Sequence, residues 1–211
     1  ICTSATPNEI NKIFKNSKLV GQSFGVSIVL QDKYAFEIAT FREDFDYLDG
    51  RHPDKVKYTK NAEHDVKRRD FTVNGLLFDP IANKIIDYCD GLLDLKNKII
   101  RTIGNPFERF YEDYLRLLRA IRFSNQLNFE IEKKTSIAMD ELSHKVVNIS
   151  IERVRDEISK ILLSLSPAKG IRLLDKYHIL NTFIPEILDM KNIQQPPDFH
   201  PEGDVFVHTC L

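Results

Sequence analysis

At 211 residues, with 42% hydrophobic residues and a formal net charge of −1, the chain has apolar material for one large or two small cores. It lacks the global basic field of a protein that coats nucleic acid, so any RNA contact must be local. Cys2, Cys89 and Cys210 have neither zinc-ligand spacing nor the pairing of a secreted scaffold, and no apolar run suits a signal peptide or a membrane span. A cytoplasmic protein with no membrane partner is expected, and its oligomeric state is left open.

Thr6-Pro7-Asn8-Glu9 is a capping box with proline at the first helical position, and Ile10, Ile13 and Phe14 give the helix that follows, about residues 7–15, an apolar face. Phe24 to Leu30 and Tyr34 to Phe41 are β-branched or aromatic runs around a polar Gln31-Asp32-Lys33 turn, which predicts a hairpin. Glu37, between Phe36 and Ile38, reads as the solvent face of its strand. From Arg42 to Asn61 periodicity is lost among Asp, Gly, Pro and Arg, so a long loop is expected, with Asn61 capping a short helix toward Arg68. Arg51, Lys55, Lys57, Lys60, Lys67, Arg68 and Arg69 form a local basic patch. Two more strands are predicted at 75–78 and 84–87 around an Asp79-Pro80 turn.

After Asn105-Pro106 nearly everything reads as helix: about 106–126, 133–142, 151–165 and 167–178. Tyr114, Leu117, Leu118 and Ile121 make the core stripe of the first, and Val154, Ile158, Ile161, Leu162 and Leu165 that of the third. Ser166-Pro167 opens the fourth. Residues 192–201, rich in Pro and Gln, are expected to be an exposed connection. The order of elements is α+β, a small mixed sheet followed by an all-helical array.

Two segments carry chemistry. In Lys67 to Pro80, two guanidiniums stand beside a carboxylate and an amide. Planar guanidiniums match phosphate oxygens, and Asp70 and Asn74, one helical turn apart, can face sugar hydroxyls or a base edge together. In Glu112 to Phe123, Asp113 and Arg116 fall beside the core stripe, and Arg119 and Arg122 continue the row. By spacing alone, Asp113 and Arg116 read as an intrahelical ion pair worth a few tenths of a kcal/mol.

Together, Arg68-Arg69-Asp70-Phe71-Thr72-Val73-Asn74 and Glu112-Asp113-Tyr114-Leu115-Arg116-Leu117-Leu118-Arg119-Ala120-Ile121-Arg122-Phe123 resemble two signature motifs of the class II tRNA nucleotidyltransferases. These are the CCA-adding enzymes, with the bacterial poly(A) polymerases as close relatives. Further matches keep the same order: Ser4 to Pro7, Asp49 to Asp54, Asp90 to Leu95, Ile149 to Glu157, and His200 to Asp204.

The resemblance implies a nucleotidyltransferase head, or palm, over residues 1–103, a base-recognising helical neck over 104–148, and a helical body from 149 to 211 that begins an RNA-binding region. It implies transfer from CTP or ATP to a tRNA 3′ end, supported by Mg²⁺ on paired carboxylates. The family's Asp-x-Asp pair precedes the segment matched by Ile1 to Pro7, so the chain is read as an internal piece of a longer protein and as inactive alone. Glu37 matches a third carboxylate. Arg69 would meet phosphate, and Asp70 and Asn74 the ribose. Asp113 and Arg116 would read the base edge, a carboxylate accepting from the exocyclic amine of C or A and a guanidinium donating to ring acceptors. Arg119 and Arg122 would serve the triphosphate or helix positioning. The loop from Asp44 to Pro53 matches one associated with the switch from C to A addition. His208 matches the first histidine of an HD-type metal domain; no metal is assigned to it. A bacterial poly(A) polymerase and a non-catalytic RNA-binding module are the alternatives.

Overall fold

The computed structural model describes residues 1–20, 25–47 and 53–210. The chain forms two compact units, Ile1–Gly91 and Leu92–Leu211.

In the first unit, β1 (Cys2–Thr3) leads through α1 (Pro7–Ile13) to β2 (Ser17–Val20), β3 (Val26–Gln31) and β4 (Tyr34–Thr40). The sheet runs in the order β1-β4-β3-β2, with β1 parallel to β4 and the other pairs antiparallel. The capping box forms in both directions: Thr6 Oγ1 accepts from the Glu9 N–H, and Glu9 accepts from the Thr6 N–H at 2.7 Å. Ile10 of α1 packs on Val29 and Ile38 of the sheet, with Ala5 beside them. The predicted β3–β4 hairpin forms with Asp32 at φ 53°, a turn conformation that aspartate tolerates.

Residues Arg42 to Asn61 depart from the expected loop. β5 (Arg42–Tyr47) and β6 (Pro53–Tyr58) pair antiparallel. Charged residues spoil the apolar alternation by which a strand is recognised, yet backbone pairing is indifferent to them. The Asp49 to His52 part of the matched loop, including Arg51 of the basic patch, lies outside the described residues, as does the side chain of Lys55. α2 (Ala62–Lys67) begins, as predicted, on Asn61, whose Oδ1 accepts from the Glu63 N–H at 2.9 Å. A 3₁₀ turn over Thr72–Asn74 follows, then the hairpin of β7 (Leu77–Asp79) and β8 (Lys84–Ile86). Its turn is held by Asp79, which accepts from the Ile81 and Ala82 N–H groups.

From there the chain runs through α3 (Gly91–Asn97), β9 (Ile99–Ile100), α4 (Pro106–Glu112), α5 (Leu115–Leu127), β10 (Glu130–Ile131), α6 (Lys133–Leu142), α7 (Ile151–Leu162), α8 (Pro167–Lys176), α9 (Leu180–Phe183) and α10 (Val205–Thr209). The short parallel β9–β10 pair was not foreseen. In the second unit α5 is central: Leu117, Leu118, Ala120 and Ile121 are fully buried, and α7 and α8 pack on it while α4 packs on α6.

Two helix expectations are corrected. The helix expected over 106–126 is broken at Asp113, which is extended at φ −155°, ψ 106°. Its side chain accepts from the Leu115 N–H at 3.0 Å, the cap competition that makes aspartate a poor interior residue. Likewise α7 ends at Leu162, and Leu162 and Leu165 are both exposed rather than in the stripe. Pro167, beyond it, disfavours helical backbone at its predecessor.

Candidate functional site

Arg69 is held on several sides. Nη1 donates to the carbonyl of Asn74 at 3.0 Å, and Nη2 donates to Asp65 Oδ2 at 2.9 Å and Cys2 Sγ at 3.3 Å. Among the described residues, no acceptor meets its Nε–H or its second Nη1–H, which leaves donors in the fork. Burial disfavours its charge, but the bond to Asp65 outweighs that and raises its pKa. Asp70 is buried, and its Oδ1 accepts from the Phe71 N–H at 2.9 Å and from Asn74 Nδ2 at 3.0 Å. The structure therefore brings Arg69, Asp70 and Asn74 together, on a tight turn rather than along a regular helix face.

In the second unit, Asp113 sits in the break between α4 and α5. Its Oδ2 accepts from Arg153 Nη2 of α7 at 2.7 Å while Oδ1 caps α5. One helical turn on, Arg116 donates through Nη1 to the Arg109 carbonyl at 2.9 Å and to Glu112 Oε2. Arg109 itself pairs with the other oxygen of Glu112. The two candidate base-reading groups are thus fixed by separate partners, and a carboxylate with several lone-pair sites still has capacity for a further donor.

Arg119 and Arg122 diverge in role. Both guanidiniums lie over the Phe123 ring, at 5.3 and 4.1 Å. Arg122, however, is buried, with Nε on Glu157 of α7 and Nη1 on Gln126 at 3.0 Å. Its contacts are those of helix positioning. Glu37 is exposed on β4, and its carbonyl accepts from the Ile1 amino group at 2.7 Å.

Sequence reasoning did not single out Asp65, Arg109, Arg153 or Glu157. Asp65 reads as a surface helix charge until it is seen to be 2% exposed. Arg153 and Glu157 stand inside a matched motif, but their partners lie 40 and 35 residues away. A signal for Asp65 does exist, since a carboxylate at i−4 and i−3 to two arginines is an ion-pair pattern.

Near the end of the chain, His200, Glu202 and His208 converge, each offering one metal-ligand-type atom within 4.8 Å of the others. Glu202 meets Nδ1 of His208, and the two rings stack edge to face at 4.8 Å between centroids. The cluster is held by its own contacts.

The head-domain model of poly(A) polymerase matches residues 1–101, and the model described as the probable RNA and SrmB-binding site of polymerase A matches 128–191. The CCA-adding enzyme of Ligilactobacillus salivarius is 44% identical over 202 residues, covering 94% of this chain and 50% of that enzyme. The chain belongs to the family of the class II CCA-adding enzymes and poly(A) polymerases. The CCA-adding enzyme of Streptococcus mutans is 40% identical and is covered to 52%. The Bacillus stearothermophilus CCA-adding enzyme, solved with CTP, superimposes at TM-score 0.75 with 34% identity, over 83% of this chain and 42% of that one. A tRNA nucleotidyltransferase solved with a primer tRNA and an incoming ATP analogue superimposes at 0.68 with 26% identity, over 92% and 53%. The chain thus spans about half the length of the curated relatives it matches. The α+β expectation agrees with these folds.

No helix among the described residues is long and apolar enough to cross a membrane.

Proposed function

We propose that this chain is the nucleotide-reading part of a tRNA nucleotidyltransferase that adds CCA to the tRNA 3′ end from CTP and ATP. Residues 1–103 are its head, 104–148 its neck and 149–211 the start of its RNA-binding body. In the first unit, Arg69 meets the triphosphate while Asp70 and Asn74 meet the ribose, whose 2′ hydroxyl marks a ribonucleotide. In the second, Asp113 accepts from the exocyclic amine of C or A and Arg116 donates to ring acceptors, an arrangement that G and U do not match. What supports this most is the immobilisation of Asp113 and Arg116: each is held by its own partner, as a fixed template requires.

Nucleotidyltransferases of this family are typically metal-dependent, and we assign Mg²⁺ to the whole protein. The described residues do not themselves make that centre: Glu37 is a single carboxylate, and the group of metal-ligand types that does converge, His200, Glu202 and His208, excludes it. Charge neutralisation by this chain is therefore assigned to Arg69. Arg119 contributes to the triphosphate reading only as a second cation.

The test is incorporation by the full-length protein on tRNA transcripts ending before the first C, after the second C and after the terminal A, with CTP and ATP supplied singly and together. Addition that stops at the terminal A is expected. Continued A addition identifies a poly(A) polymerase, the activity for which the matching head-domain model is named. tRNA binding without incorporation identifies a binding module.

A further inference from the structure

Asp65 is a buried carboxylate that meets three arginines. Its Oδ1 accepts from Arg68 Nε at 2.9 Å and Nη2 at 2.7 Å and from the Arg42 N–H at 3.2 Å, while its Oδ2 accepts from Arg69 Nη2 at 2.9 Å. Arg42 and Arg68 both reach Asp44 as well, at 2.9 and 3.5 Å. Asp65 thus stands in one cluster with Asp44, Arg42, Arg68 and Arg69. Burial pushes the Asp65 carboxyl up, but Arg68 and Arg69 outweigh it and hold the group below its usual range.

The division of labour within the cluster is informative. Arg68 spends its fork on Asp65 and Asp44. Arg69 gives Asp65 one donor only, is steadied by the Asn74 carbonyl on the other nitrogen, and keeps two N–H groups unmet among the described residues. A flexible arginine presented to phosphate loses side-chain entropy on binding, whereas one already clamped has lost it.

We propose that Asp65 is a positioning residue: it holds the Arg69 guanidinium in the orientation that receives the nucleotide triphosphate. This rests on the assignment of Arg69 to phosphate. Since phosphate is common to both nucleotides, Asp65 affects CTP and ATP equally and leaves base choice alone.

The test uses the full-length protein with Asp65→Asn, Asp65→Glu, Arg69→Ala and the double variant Asp65→Asn/Arg69→Ala. Asp65→Asn should raise KM for CTP and ATP by the same factor, about tenfold for a lost charge-assisted contact, with kcat within about twofold. Asp65→Glu, which keeps the charge but displaces it by one methylene, should raise both KM values less. In the double variant the Asp65 effect should vanish, because its partner is gone. A merely structural role would instead add to the Arg69→Ala effect and leave the rotation of the Arg69 guanidinium unchanged. Arginine side-chain NMR without nucleotide reads the clamp directly: hindered rotation of the Arg69 guanidinium in the wild type, lost in Asp65→Asn. Additive effects, unchanged KM values, or a change for one nucleotide only would overturn the proposal while wild-type incorporation still upholds the nucleotidyltransferase reading. No incorporation by the wild type, with the NMR clamp intact, would overturn that reading and the triphosphate role with it.

Discussion

The two sets of candidate nucleotide-reading residues are built in opposite ways. Around Arg69 the wiring is local: Asp65, Arg69, Asp70 and Asn74 fall within one helix end and one turn, and Cys2 is the distant partner. Around Asp113 and Arg116 it is divided. Glu112 and Arg109 are neighbours, but the Asp113 carboxylate is fixed by Arg153 from another helix, 40 residues on. A local cluster forms wherever its helix end forms. A divided one depends on how α5 and α7 pack, so its precision is inherited from the helical core.

That difference can be broken at its strongest point with Arg122→Ala. It leaves Glu157 buried beside α5 with only Lys160, at 3.0 Å, to pair with it. Losing one partner of a buried pair costs about 3 kcal/mol here, the low end of the usual range because Lys160 remains. Thermal melting should show the loss, and base selectivity should suffer with it. In the first unit the comparable lesion is Gly91→Ala, whose new Cβ would overlap the Thr72 carbonyl oxygen, a backbone atom of the turn that carries Asn74. Overpacking against backbone costs about 2 kcal/mol, and KM for both nucleotides should rise without a change in selectivity.

Arg153→Met is a finer probe. It removes the partner of Asp113 and should lower discrimination between CTP and UTP about tenfold with little change in melting temperature, as the loss of one charge-assisted bond implies. The smallest effect expected is on acid stability. Because the folded Asp65 carboxyl is held below its unfolded value, its contribution is fully present above about pH 4 and is lost as pH falls through the folded pKa. Comparing melting temperatures at pH 6 and pH 3, Asp65→Asn should show a smaller acid-induced drop than the wild type.

The same contrast explains what the sequence disclosed. The Thr6–Glu9 box, the Asn61 cap and the β3–β4 hairpin are local devices and were readable. So were the stripe residues Leu117, Leu118 and Ile121 and the clustering of Arg69, Asp70 and Asn74. The break at Asp113 was hidden because apolar periodicity runs straight through it, although an aspartate at that point is a capping signal. β5 and β6 were hidden by charge: Arg42 and Asp44 are ion-paired in the structure, whereas in a list of residues they look like loop. Arg153 and Glu157 were visible as letters of a motif and invisible as partners, since no spacing rule reaches across two helices.

In the proposed function the base is read by Asp113 and Arg116 and the phosphate by Arg69. The most direct measurement is the ratio of CTP to UTP incorporation by the full-length protein carrying either Arg116→Ala or Arg69→Ala. Selectivity should collapse in Arg116→Ala and persist in Arg69→Ala, whose KM for both CTP and ATP should rise together. Unchanged selectivity in Arg116→Ala would rule out base reading by Arg116.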